Sequence, residues 1–143
     1  KTMIHLRNQL SDLPLDFGEN PVKDKFWNAS RVHHYPSGGG FMSRHYDTYF
    51  PKIMQSKKIP FLQLILLLSK KGKDFYTGGG FIIPKGSDKL INLEDEYSFG
   101  DIIVFDGTME HGVDTVDSHG IPDLNSKNGR LSFIVGLYEV QKN

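Results

Sequence analysis

The run "IPFLQLILLL" (residues 59–68) is the longest apolar stretch of the chain, and its reading decides the fold. It is interrupted by Gln63 and is far shorter than the roughly 20 apolar residues that cross a bilayer, so it is not read as a membrane segment. Leucine and isoleucine fill both alternating sets of positions, so a strand here is apolar on both faces. Such a strand belongs inside a two-layer structure and not on an exposed sheet. Gln63 then needs a buried partner or a place at the mouth of a pocket, where it would touch a bound ligand.

Outward from this run, short aromatic and β-branched segments alternate with Gly, Pro, Asp and Asn clusters. They predict strands over 31–35, 42–46, 61–68, 80–83, 90–93, 101–105, 112–116 and 130–140, and only the N-terminal segment reads as helix. Eight short strands with glycine-rich corners imply an all-β sandwich or jelly roll with a short N-terminal helical segment. The polar stretch "DSHGIPDLNSKNG" (residues 117–129) reads as a loop between the last two strands, of a length that tends to be functional or mobile. With no internal repeat, all 143 residues are read as one domain, and a start at Lys1 is read as elements missing upstream.

Composition narrows the partners. Hydrophobic residues make up 38% and charged residues 24%, far from the regime of disorder. Lys plus Arg and Asp plus Glu both number 17, so no net field recommends nucleic acid or an anionic membrane. The absence of cysteine excludes disulfides and thiolate metal sites. Together with an N-terminus that lacks a signal-peptide layout, it points to a cytoplasmic protein.

The segment "SRHYDTYF" (residues 43–50) places His45 and Asp47 two positions apart. On a strand that spacing projects both side chains from one face, a nitrogen and an oxygen ligand side by side. A third ligand must come from elsewhere, and "FDGTMEHGVDTV" (residues 105–116) offers His111 after a strand and turn. Two histidines and one carboxylate that leave the other positions open suit non-haem Fe(II) working with O₂. Taken alone the pair is weak, because an isolated histidine is more often structural than a ligand. At the other end of the chain, "NGRLSFIVGLYEV" puts Arg130 and Ser132 on one strand face. A planar guanidinium beside a hydroxyl is shaped to grip a carboxylate, although an edge-strand Arg paired with a surface acid would look the same in sequence.

In order, His45-x-Asp47, "YTGGGFIIPKG", "INLEDEYSFGDIIVFDGTMEHGVDTV" and Arg130-x-Ser132 resemble the Fe(II)/2-oxoglutarate-dependent dioxygenases, most closely their prolyl-hydroxylase-like branch. The resemblance covers residues 31–140 and implies a double-stranded β-helix, a jelly roll whose open mouth holds the iron. It implies His45, Asp47 and His111 as iron ligands, and Arg130 helped by Ser132 as the grip on 2-oxoglutarate. It further implies Tyr35 as a hydrogen-bond donor to the same cosubstrate. The reaction implied is hydroxylation of a small-molecule, amino-acid or peptidyl substrate with O₂, yielding succinate and CO₂. Many prolyl hydroxylases carry Lys where Arg130 stands, so the resemblance does not extend to a prolyl substrate. Halogenating relatives replace the carboxylate ligand, so Asp47 favours hydroxylation.

Two other functions compete: a non-catalytic, cupin- or lectin-like jelly-roll module with a structural metal, and a metal-dependent isomerase that consumes no O₂. Around the expected site, His33 shares a strand face with Tyr35, while His34 faces away and reads as structural. Arg31 and Arg44 flank the site and are candidates for holding an anionic substrate group, Arg44 with the stronger surface character. His119 reads as a solvated loop residue, and the acidic run "NLEDEY" (residues 92–97) as a solvated turn. "TGGGF" (residues 77–81) lacks the Lys-Ser/Thr ending of a phosphate loop, so its glycines read as relief where a strand passes close to a neighbour or to substrate.

Overall fold

The strand read from the apolar run, β3 (Leu62–Leu67), lies between two antiparallel neighbours in its sheet. The computed structural model describes residues 1–141, the side chains of Tyr49 and Pro51 excepted. β3 pairs on one side with β6 (Ile102–Asp106) and on the other with β8 (Gly129–Glu139). β1 (Phe26–Pro36) closes this sheet through an unbroken ladder with β8 running from Phe26↔Glu139 to Pro36↔Gly129. A second antiparallel sheet has the order β2 (Met42–His45), β7 (Glu110–Asp114), β4 (Gly79–Ile83), β5 (Ile91–Asn92). Successive strands cross between the sheets at every step except β4 to β5.

The two faces of β3 feed two separate cores. Leu64 is fully buried with Val135 and Met3, the last from α1 (Thr2–Leu10), which covers that face of the first sheet. Leu67, of opposite parity, packs with Leu93, Ile103 and Phe105. Each such leucine contributes about 1.5–3 kcal/mol of burial, so any register slip of β3 would exchange both cores at once.

Four local expectations change. Residues 49–56 form a helix, α3 (Tyr49–Ser56), where only the N-terminal segment reads as helix in the sequence. A proline at position 51 falls within the first turn, whose N–H groups have no helical partner in any case, so it does not bar the helix. Met54 of α3 is buried against Phe26 and Leu137. The strand expected over 90–93 shortens to β5, and its continuation is a single helical turn, α4 (Leu93–Glu96). His111 lies inside β7, which begins at Glu110, and so does not precede its strand. A further single turn spans Pro21–Asp24.

The loop between β7 and β8 has no regular structure, yet its base is pinned. Asp117 takes a left-handed backbone (φ 48°), and its carboxylate accepts hydrogen bonds from the amides of Tyr76 and Thr77, both at 2.8 Å, and from Ser37 Oγ at 2.7 Å. Burial raises the Asp117 pKa, but these hydrogen bonds outweigh it and hold the carboxyl below its ordinary range. No helix among the described residues is long and apolar enough to cross a membrane.

Candidate metal centre

His45 ends β2 and stands directly opposite His111 in the β2–β7 ladder. The ladder is irregular between Met42 and His45, a distortion that re-aims side chains at strand ends. The imidazole centroids are 4.4 Å apart. Asp47 lies just beyond the strand in the lead-in to α3, so the pair meets at a strand end and not along one strand face. One ligand atom from each of His45, Asp47 and His111 lies within 4.8 Å of the other two. Asp47 Oδ1 is 3.9 Å from His45 Nε2, and Asp47 Oδ2 is 3.9 Å from His111 Nε2.

The same device orients both imidazoles. His45 Nδ1 is 2.7 Å from the carbonyl of Ser43, and His111 Nδ1 is 2.9 Å from the carbonyl of Met109. A carbonyl only accepts, so each Nδ1 donates its proton to it, and each Nε2 is the ring nitrogen turned towards the other members of the group. Phe105 meets His111 edge-on, with centroids 5.7 Å apart. Gln63 Nε2 donates to Asp47 Oδ2 at 2.6 Å, which identifies the partner that a glutamine in an apolar strand requires. Two imidazole nitrogens and a carboxylate, supported this way, are a donor set that fits a divalent first-row metal.

Arg130, expected at the far end of the site, is only 2% exposed and follows a different logic. Its Nε donates to Glu94 Oε1 at 2.5 Å, and Nη1 donates to Ser132 Oγ at 3.2 Å. Nη2 is buried without a partner. Glu94 Oε2 accepts the amide of Gly80 at 2.7 Å, so the acid is fixed by both backbone and guanidinium. The glycines of β4 make this possible. A Cβ on Gly80 would stand 2.6 Å from Arg130 Nη2, and one on Gly79 would stand 2.6 Å from Glu94 Oε2. Glu94, whose side chain is 3% exposed, corrects the reading of its acidic run as a solvated turn.

Tyr35 is paired with Arg130 across the β1–β8 ladder, and its ring centroid lies 5.6 Å from the guanidinium carbon. Among the described residues its hydroxyl has only a long contact to Met42 Sδ at 3.9 Å. Burial pushes the phenol pKa up, opposed by the Arg130 charge. His33, opposite Ser132, is held below its ordinary pKa first by burial and then by Arg31 and Arg130.

One cavity of about 200 Å³ is lined by His45, Asp47, His111, Gln63, Tyr35, Arg130 and Ser132, so every residue singled out for the site faces a shared space. His34 and His119 are exposed, and His34 Nε2 lies 3.3 Å from the Asn128 carbonyl. Arg44 is exposed and bound to Glu110. Sequence reading missed Glu94. The signal available was indirect: a buried Arg130 demands a counter-charge, and an acid following buried Leu93 was the candidate to supply it. No protein-family model matches the sequence, and no curated protein matches it.

Proposed function

We propose that this chain is an Fe(II)- and 2-oxoglutarate-dependent dioxygenase that hydroxylates a C–H bond of a small-molecule, amino-acid or peptidyl substrate. Strands that alternate between sheets of order β1-β8-β3-β6 and β2-β7-β4-β5 support a double-stranded β-helix as its scaffold. The observation that carries the reading is the shared cavity. It joins an open two-histidine, one-carboxylate group to a buried guanidinium with an unpartnered Nη2.

In this reading His45 Nε2, His111 Nε2 and one Asp47 oxygen hold the metal. Iron with 2-oxoglutarate and O₂ supplies the oxidising power, one oxygen atom going to the substrate and the other to succinate as CO₂ leaves. Gln63 keeps Asp47 from rotating. Arg130 Nη2, together with the Ser132 and Tyr35 hydroxyls, receives the distal carboxylate; an unpaired buried N–H costs about 1–3 kcal/mol, so a ligand oxygen there is favoured. The pairing with Glu94 fixes the guanidinium plane before ligand arrives. Phe81, Phe105 and Ile65 wall the cavity and exclude water.

One observation favours a second reading, a non-catalytic metal-binding jelly-roll module: Glu94 already neutralises Arg130, as a purely structural pair would. Anaerobic Fe(II) titration with 2-oxoglutarate separates the two. The proposal expects the weak visible charge-transfer band of the chelate in the wild type and its loss in Arg130→Ala. A folded, metal-loaded wild type that shows no band would favour the module.

A further inference from the structure

Arg31 and Arg44 both flank the metal ligands in sequence, and the structure gives them opposite situations. Arg44 donates through Nε and Nη2, one edge of its guanidinium, to the two oxygens of the Glu110 carboxylate, which also accepts from the Tyr46 hydroxyl. Arg31 lines the cavity on the same face of β1 as His33 and Tyr35, and it has no carboxylate partner among the described residues. Its guanidinium lies over the Tyr138 ring, 5.1 Å from the centroid. Stacking engages the flat face of a guanidinium and leaves its in-plane N–H groups free for a planar anion.

The surroundings describe the rest of a ligand. Tyr138 stacks on Trp27 at 5.1 Å and meets Phe50 edge-on at 4.9 Å, and Phe50 stacks on Phe61 at 5.6 Å. A free cation therefore stands beside an aromatic wall. Arg31 precedes Tyr35, the cross-strand partner of Arg130, by four strand positions, roughly 13 Å along the backbone, so the two guanidiniums are rooted at separate points of the cavity wall.

We infer that Arg31 anchors the carboxylate of the substrate, and that the substrate is an organic acid whose apolar body lies along the wall of Tyr138, Phe50 and Phe61. This rests on the cavity being the active site of the proposed dioxygenase. Trp27 is the single tryptophan and touches Tyr138, so its fluorescence reports on this corner. The test titrates the full chain, without metal or 2-oxoglutarate, with arylalkyl carboxylates of increasing length and with their matched primary amides. Saturable changes are expected for the acids, with at least tenfold weaker binding of the amides. Arg31→Gln should weaken the acids at least tenfold, whereas Arg44→Gln should leave them unchanged. Arg31 is exposed, so its replacement leaves the core intact, and Arg31→Lys should recover part of the affinity. Equal binding of acids and amides, wild-type affinity in Arg31→Gln, or no acid bound by the wild type would each overturn the anchor. Because no iron is present, a missing chelate band and a missing carboxylate site are separate failures.

Discussion

Two guanidiniums are buried almost completely in this protein, and they are stabilised in opposite ways. Arg130 is met by a carboxylate, that of Glu94, in a cradle kept open by two glycines. Arg7, 4% exposed, is met by amide oxygens only, those of Asn8 and Asn28. Asn8 and Asn28 both donate onward to the carbonyl of Phe17, so Arg7 ties α1, the following loop and β1 together. Burial without a counter-charge lowers the Arg7 pKa to about 10, which still leaves it cationic at neutral pH. The contrast teaches that burial alone does not mark a functional arginine. Both arginines line the cavity and both keep one buried guanidinium nitrogen without a hydrogen-bond partner among the described residues, so what distinguishes Arg130 is its carboxylate partner, itself fixed by the Gly80 amide.

That distinction can be broken by substitution. The largest effect is expected from Glu94→Ala, which leaves Arg130 charged and alone; about 3–5 kcal/mol of stability should be lost in urea unfolding. Replacing both partners, as Glu94→Leu with Arg130→Met, should return most of that stability while eliminating 2-oxoglutarate binding. A double variant that still binds 2-oxoglutarate would remove Arg130 from the site. Arg7→Met should cost less, about 1–3 kcal/mol, because it orphans two amide oxygens and no charge. Its affinity for 2-oxoglutarate should match the wild type, and a parallel loss would merge the two arginines into one functional class.

The smallest effect concerns Asp117, a carboxylate met by neutral donors as Arg7 is a cation met by neutral acceptors. Asp117→Ala should lose about 1 kcal/mol at neutral pH. The sign follows from its depressed pKa. The stabilisation is complete above the ordinary carboxylate pKa and disappears as pH falls through the lower folded value. The gap between variant and wild type should therefore close in acid, and a gap that stays constant would assign the effect to packing.

Much of this was legible from local pattern. The two-faced apolarity of β3 forecast its interior position, and the spacing of Arg130 and Ser132 forecast a shared strand face. His45, Asp47 and His111 were legible as metal-type donors, and they do meet. What escaped were partnerships between residues distant in sequence. Nothing near Glu94 announces Arg130, and nothing near Gln63 announces Asp47. α3 escaped for a different reason: its aromatic start and early proline imitate a strand edge, and the helix is favoured by burying Met54 against Phe26 and Leu137.

The two histidines each lean on a backbone carbonyl two residues earlier, that of Ser43 within β2 and that of Met109 in the turn just before β7. Their hydrogen-bonded aim is thus set by the backbone and not by a side-chain partner. Asp47, outside the strand and dependent on Gln63, has no such autonomy. Over evolutionary time the walls of the cavity can be rewritten for new ligands without disturbing the imidazoles, while changes that reach Gln63 also retune the carboxylate. The group combines two donors aimed by the backbone with one aimed by a side chain.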